Sequence, residues 1–134
     1  MIKSFPGPSS LRCKVLLVED DEATLALYAS ALRMDGFQVR TATDGVLALR
    51  IVESFEPDVV ILDLGLPMAS GFEVLRDMRA TQFRMPVIAV SGHEPGLAMA
   101  RRDPNFFAAM QKPLDPADLV TLTRRALLQS ATGN

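Results

Sequence analysis

Short apolar segments in this sequence end in residues of reactive types. VVIL, residues 59–62, has no polar alternation and is followed directly by Asp63. Clustered carboxylates repel one another unless a cation lies among them, and oxygen ligands in an incomplete cage suit Mg²⁺. An aspartate beside Mg²⁺ can attack a phosphoryl donor, and a lysine can oppose the negative charge of the transferred group. The candidates for this chemistry lie at or just beyond the ends of apolar segments: Glu19, Asp20, Asp63, Ser91 and Lys112.

The segments that carry these residues alternate between strand and helix patterns. The second strand segment, FQVRT, alternates apolar and polar residues and is predicted to be an edge strand, whereas the first, third and fourth are unbroken apolar runs typical of interior strands. Strands are predicted at 15–18, 37–41, 59–62, 86–92 and 106–110, and helices at 21–34, 44–54, 71–79, 94–104 and 115–129.

Five strand–helix repeats predict an α/β fold with a doubly wound, five-stranded parallel sheet in the order 2-1-3-4-5 and helices on both faces. The carboxyl ends of parallel strands share one edge, so the reactive residues are expected to meet there. Pro67 and Gly71, after Asp63, indicate a loop and the start of a helix. The predicted inward-facing residues include Leu47, Ile51 and Val52 of the second helix and Leu119, Leu122, Ala126 and Leu127 of the last.

The length of 134 residues predicts one domain, assigned to residues 14–130, with a flexible lead or linker at 1–13 and a C-terminal tail at 131–134. The net charge of −2 gives no electrostatic reason to expect nucleic acid as a partner. A single cysteine, Cys13, excludes an intrachain disulfide and favours a reducing compartment. No apolar run is long enough to span a membrane, and no secretory signal is evident. We therefore expect a cytoplasmic location.

Four sequence blocks resemble the motifs of one known family. VLLVEDD, PDVVILDLGLPMASG, VIAVSG and QKPLDPADL occur in this order within residues 14–129, and together they resemble the receiver domain of two-component response regulators. The resemblance implies a flavodoxin-like, CheY-like (βα)₅ fold. It also implies that Asp63 accepts a phosphoryl group from a histidine kinase or a histidine phosphotransfer protein, and that phosphorylation switches the binding of a downstream protein partner.

The same resemblance assigns roles to the other site residues. Glu19 and Asp20 align with the acidic pair that binds Mg²⁺, to which Asp63 and the backbone carbonyl of Gly65 would also contribute. Asp21, one position further along, is interpreted as the start of the first helix.

For the switch, Ser91 aligns with the family's Ser/Thr residue and Lys112 with its lysine. The peptide bond from Lys112 to Pro113 is commonly cis in this family. One position departs from the pattern: the family usually has Tyr, Phe or His three residues before the lysine, and this chain has Ala109. The fourth helix is also predicted to be short. The phosphorylation chemistry is thus predicted to be complete, while the route of output through Ala109 stays open. His93, two residues beyond Ser91, is predicted to be a loop residue near the pocket.

Other interpretations of these residues remain open. Taken alone, Asp63 could merely end a strand, and Lys112 could be a surface lysine. A receiver-like domain that is never phosphorylated, acting as a docking module, is favoured by Ala109. An aspartate-nucleophile phosphohydrolase would also use Mg²⁺, but it would need a second acid two residues after Asp63, where this chain has Gly65. We therefore expect no enzymatic activity, and either a stand-alone regulator or the receiver of a larger protein such as a hybrid histidine kinase.

Overall fold

The computed structural model describes residues 13–67 and 69–132. Five strands and five helices alternate along this part of the chain. The predicted lead lies outside the described residues except for Cys13. The strands are β1 (Lys14–Val18), β2 (Gln38–Ala42), β3 (Val59–Asp63), β4 (Val87–Ser91) and β5 (Ala108–Gln111), and the helices are α1 (Glu22–Met34), α2 (Gly45–Phe55), α3 (Gly71–Ala80), α4 (Glu94–Arg102) and α5 (Pro116–Thr132).

The strands form one parallel sheet in the order β2-β1-β3-β4-β5, which confirms the predicted fold class. Every residue of β3 and of β4 is buried, as the unbroken apolar runs predicted. The edge strand β2 alternates between exposed and buried residues over most of its length. Two readable patterns therefore separate the interior strands, which are continuous apolar runs, from the edge strand β2, which alternates.

The core consists of two layers, one on each face of the sheet. Leu16 and Val18 pack with residues of α2, α3 and α4, whereas Val15 and Leu17 pack with residues of α1 and α5. Successive residues of a strand point to opposite faces, so a run of consecutive apolar residues supplies both layers at once. Helices therefore cover both faces of the sheet whose carboxyl edge carries the candidate site.

Three helices begin at a side chain that caps them. The carboxylate of Asp21 accepts a hydrogen bond from the backbone N–H of Thr24 at 2.9 Å. Ser70 and Glu73 form a reciprocal capping box at the start of α3. The third cap is Asp44, before α2. Such caps satisfy backbone N–H groups that have no partner within the helix, and each typically stabilises its helix by about 1 kcal/mol.

The prediction that Leu47 faces inward is wrong. Its side chain is 38% exposed, and Ala48 takes the inward position together with Ile51 and Val52. Residues 48, 51 and 52 form one stripe at helical spacing, and Leu47 lies beside it, at the rim of the core.

The prediction of which residues of α5 face inward is correct in part. Leu119 and Ala126 are fully buried, whereas Leu122 and Leu127 are only partly buried against the same layer. Thr123, on the same helix, is also fully buried. Its hydroxyl donates a hydrogen bond to the carbonyl of Leu119 at 2.8 Å. This bond within the helix allows a polar residue to occupy a core position.

The strand β5 begins at Ala108, two residues later than predicted. The N–H of Phe106 donates to the carbonyl of Asp103, which places Phe106 in a turn before the strand. Its buried ring packs edge-on against Phe72, with 5.6 Å between the ring centroids. The aromatic residue thus fills the core from a turn, a position that strand propensity alone does not distinguish from a strand.

Candidate functional site

The carboxyl ends of four strands bring the predicted residues to one edge of the sheet. Asp63 and Ser91 are the last residues of β3 and β4, which are neighbouring parallel strands. Glu19 follows β1 directly, and Lys112 follows β5. The adjacency of β1, β3, β4 and β5 therefore gathers residues that lie far apart in the sequence.

Lys112 contacts two acidic residues of this edge. Its Nζ lies 2.6 Å from Oε1 of Glu19 and 2.9 Å from Oδ2 of Asp63. The backbone N–H of Lys112 also donates to the carbonyl of Ser91 at 2.9 Å, which fastens the start of the loop after β5 to β4. The Lys112–Pro113 peptide bond is cis, as the resemblance implied.

Both carboxylates that contact Lys112 are buried. Glu19 is 2% exposed and Asp63 is 6% exposed, whereas the lysine side chain is 25% exposed. Burial raises the pKa of Glu19, and the nearby Asp63 raises it further, although the hydrogen bonds from Lys112 and from the N–H of Asp21 oppose the shift. Burial acts to lower the pKa of Lys112, but the hydrogen bonds to Glu19 and Asp63 outweigh it, so that pKa is raised. The single ammonium of Lys112 thus contacts two acidic side chains. When both carboxyl groups are ionised, the net negative charge favours the binding of a further cation.

The acidic groups are arranged so that they could hold a metal ion. One carboxylate oxygen from each of Glu19, Asp20 and Asp63 lies within 4.8 Å of the others. Asp20 is exposed, which leaves one side of the group open to water. Hard oxygen donors, excess negative charge and an open side match the preference of Mg²⁺ for a few carboxylates together with retained waters. These residues therefore fit such an ion.

Asp21 does not join this group through its side chain. Its carboxylate caps α1, and its hydrogen bonds to Thr24 lower its pKa. The interpretation of Asp21 as a helix start is therefore confirmed, and the acidic segment divides into two site residues and one cap.

The two carboxylate oxygens of Asp63 have different partners. Oδ2 contacts Lys112, while Oδ1 accepts a hydrogen bond from the backbone N–H of Gly65 at 2.9 Å. A Cβ at position 65 would lie 3.7 Å from Oδ1, so a larger side chain there would border the carboxylate. The contribution of the Gly65 carbonyl to a metal stays a prediction.

Gly71 packs closely against the backbone of Asp63 and Leu64, a contact that the sequence analysis missed. A Cβ at position 71 would lie 2.8 Å from the carbonyl oxygen of Asp63 and 2.8 Å from Cα of Leu64. The start of α3 therefore packs directly against the backbone that carries Asp63. The only signal in the sequence was a glycine at a helix start, which has several common explanations.

Ser91 is buried and bonds to the residue that precedes α4. Its Oγ accepts from the N–H of His93 at 2.9 Å and donates to the carbonyl of the same residue at 3.2 Å. His93 is thus the residue from which α4 begins. Ala109, in β5, is partly buried against the core layer that contains Phe72 and Phe106.

Comparison with known proteins identifies the class. The doubly wound sheet with an acidic, lysine-containing carboxyl edge is that of a CheY-like signalling domain. Residues 15–124 match the family described as the response regulator receiver domain, and the chain belongs to this family. It is thus a receiver domain of two-component signalling.

Individual relatives agree with this assignment. The regulatory protein AtoC of Escherichia coli is 31% identical over 119 residues, which cover 87% of this chain and 26% of AtoC. The transcriptional regulatory protein PrrA of Mycobacterium tuberculosis is 40% identical over 78 residues, which cover 58% of this chain and 34% of PrrA. The chain therefore spans about a quarter to a third of the length of these relatives.

A solved structure of similar size agrees as well. The response regulator receiver domain protein from Clostridium thermocellum superposes with a TM-score of 0.81 at 28% identity, over 89% of this chain and 97% of that one. Within the residues that the structure describes, no helix is both long enough and apolar enough to cross a membrane.

Proposed function

We propose that Asp63 is the phosphoacceptor of this receiver domain. The observation that carries the proposal is the position of its carboxylate: it is nearly buried at the end of β3, 2.9 Å from the ammonium of Lys112 and beside two further acidic residues. A strand terminator would need none of these partners. A nucleophile for phosphoryl transfer needs both positioning and opposing positive charge.

The proposed reaction transfers a phosphoryl group from a phosphohistidine. A carboxylate oxygen of Asp63 attacks the phosphorus, a P–O bond forms and the P–N bond to the donor imidazole breaks, with the electron pair leaving on the imidazole. The ammonium of Lys112 opposes charge on the transferred oxygens, and the N–H of Gly65 holds one carboxylate oxygen in place. Mg²⁺, held by Glu19, Asp20 and Asp63 and by the carbonyl of Gly65, would supply further charge neutralisation when bound.

The donor would be a histidine kinase or a histidine phosphotransfer protein, and the output would be altered binding of a downstream protein. We infer that the domain works in the cytoplasm, contacts neither nucleic acid nor membrane itself, and does not turn over a substrate as an enzyme. It would act either alone or as the receiver of a larger protein. We further propose that residues 14–130 are the functional unit, flanked by a lead and a short tail.

The experiment that tests this is intact-mass spectrometry after incubation with acetyl phosphate and Mg²⁺. The expected result is a single phosphoryl adduct that disappears when Mg²⁺ is chelated and in Asp63→Asn. Asp77→Asn is the matched control, because Asp77 is an exposed carboxylate on α3 and its loss should leave the adduct intact. An adduct that persists in Asp63→Asn would refute the assignment of the phosphoacceptor.

One observation favours a second candidate, a docking module that is never phosphorylated. Ala109 stands where the family resemblance implies an aromatic switch residue, and it is partly buried against the core. Absence of an adduct with both acetyl phosphate and a phosphohistidine donor protein, together with unchanged partner affinity in Asp63→Asn, would favour the docking module. Repeated turnover of a phosphoester would instead indicate a phosphohydrolase, for which Gly65 is the wrong residue.

A further inference from the structure

A buried hydroxyl joins the first helix to the loop that carries Lys112. Tyr28 lies in the second turn of α1, and its side chain is buried in the core layer that also contains Leu114. The Oη of Tyr28 accepts a hydrogen bond from the backbone N–H of Leu114 at 3.3 Å. The two residues are 86 positions apart in the sequence, so this bond exists only once the chain has folded.

The short loop between β5 and α5 begins with Lys112, and its backbone is bound to other elements on both sides of Pro113. The N–H of Lys112 donates to the carbonyl of Ser91, the last residue of β4, at 2.9 Å. The N–H of Leu114 donates to Tyr28 of α1. Pro113 has no N–H to offer. The backbone that carries the lysine is therefore held between β4 and α1.

The same helix begins beside the acidic residues of the site. Asp21 is the N-cap of α1, and its backbone N–H donates to Oε2 of Glu19 at 2.9 Å. Two helical turns further on, Tyr28 holds the loop of Lys112. Because a helix is a rigid element, α1 thus relates the position of Glu19 to that of the loop whose ammonium contacts it.

The hydroxyl of Tyr28, rather than its ring, makes this connection. A phenylalanine would fill the same space in the core layer, but it would leave the buried N–H of Leu114 without an acceptor. A buried N–H that loses its partner destabilises the conformation that buries it. The side chain of Lys112 is a point charge on a flexible stem, so the position of its ammonium depends on how firmly the backbone beneath it is held.

We propose that Tyr28 is a positioning residue for phosphoryl transfer, which acts by holding the loop of Lys112, an inference that rests on the proposed phosphorylation of Asp63. The ammonium of Lys112 lies 2.9 Å from the carboxylate of Asp63 and has to oppose charge on the transferred oxygens. A misplacement of 1 Å can slow a reaction about 100-fold. Loss of one hydrogen bond displaces the loop by less than that, so we expect Tyr28→Phe to be phosphorylated about fivefold more slowly.

The test is the initial rate of adduct formation with acetyl phosphate and Mg²⁺, measured in a double-mutant cycle. If Tyr28 acts through the lysine, Tyr28→Phe should slow the wild type but have no further effect in a Lys112→Met background. A general structural effect would slow both backgrounds by the same factor and would overturn the proposal, as would a wild-type rate in the single variant Tyr28→Phe.

Thr123→Val is the matched control. Thr123 is also a buried residue with a hydroxyl, but its hydrogen bond goes to the carbonyl of Leu119 within its own helix. Its removal should leave the rate of phosphorylation unchanged. An equal slowing in Thr123→Val and Tyr28→Phe would show that any lost core hydroxyl slows the reaction, and the specific role of Tyr28 would be refuted.

Amide hydrogen exchange, followed by NMR, tests the hold on the loop without phosphorylation. In Tyr28→Phe we expect the amides of Lys112 and Leu114 to exchange about fivefold faster or more, with unchanged exchange at Leu32 of α1 as the sign that the fold is intact. Wild-type exchange at both loop amides would overturn the proposal. Absence of an adduct on the wild-type protein would refute the phosphorylation of Asp63 instead, while the exchange rates would still decide whether Tyr28 holds the loop.

Discussion

Replacing Gly71 with alanine would test how tightly the site is supported by α3. A Cβ at this position would lie 2.8 Å from the carbonyl oxygen of Asp63, 2.8 Å from Cα of Leu64 and 2.9 Å from its Cδ2. Ordinary contacts of a Cβ begin at 3.4 Å. Two of the three opposing atoms belong to the backbone, so the clash cannot be relieved by a side-chain rotation. Either α3 or the backbone at Asp63 must move by about 0.6 Å to restore ordinary contact.

This displacement sets the expected magnitudes. Overpacking of a dense core costs about 1–3 kcal/mol, and the rigidity of the opposing backbone favours the upper half of that range. The higher helix propensity of alanine offsets less than about 1 kcal/mol of this loss in stability, because position 71 is the first residue of the helix. We expect Gly71→Ala to be less stable by about 2 kcal/mol. Since a misplacement of 1 Å can slow a reaction about 100-fold, we expect phosphorylation to slow by about tenfold.

The measurements are urea unfolding and the initial rate of adduct formation with acetyl phosphate. Ser70→Ala is the matched control: it removes the cap at the same end of α3, with an expected loss of about 1 kcal/mol, but introduces no clash with Asp63. Its rate of phosphorylation should equal that of the wild type. A Gly71→Ala protein with wild-type stability and rate would refute the reasoning that α3 positions Asp63.

Two further predictions concern the charges of the site. Lys112→Met keeps most of the length of the side chain but leaves Glu19 and Asp63 without their ammonium, so urea unfolding at pH 7.5 without Mg²⁺ should show a loss of about 3 kcal/mol, partly restored by millimolar Mg²⁺; equal stability of variant and wild type would contradict this. The raised pKa of Glu19 means that the folded state retains its proton to a higher pH than the unfolded chain, whose ordinary pKa is 4.5. The protonated form of Glu19 therefore stabilises the folded state. This stabilisation is fully present below pH 4.5 and is lost as the pH rises through the pKa that Glu19 has in the folded state. Without Mg²⁺, the unfolding free energy of the wild type should therefore fall as the pH rises above 4.5, and it should fall more than that of Glu19→Gln; parallel curves would contradict the shift.

The fold and the placement of these residues at one edge of the sheet were predictable because the signals are local. Unbroken apolar runs identified the interior strands, alternation identified the edge strand β2, and the parallel order then placed the strand ends together. Asp63, Ser91 and Lys112 could be chosen because each lies at or near the end of such a strand. The bounds of β5 were wrong by two residues at its start because a buried Phe106 is compatible with either a strand or a turn.

What the sequence by itself determined is thus the order of elements, the sheet topology and the set of residues at its carboxyl edge. The tertiary structure alone decided which partners those residues have: Lys112 contacts both Glu19 and Asp63, Ser91 bonds to His93, and Gly71 supports Asp63. The physical reason is one of scale. Hydrophobic periodicity selects the face on which a residue lies, whereas a hydrogen bond requires atoms placed to within a few tenths of an ångström. That placement depends on the packing of segments that lie tens of residues apart in the chain.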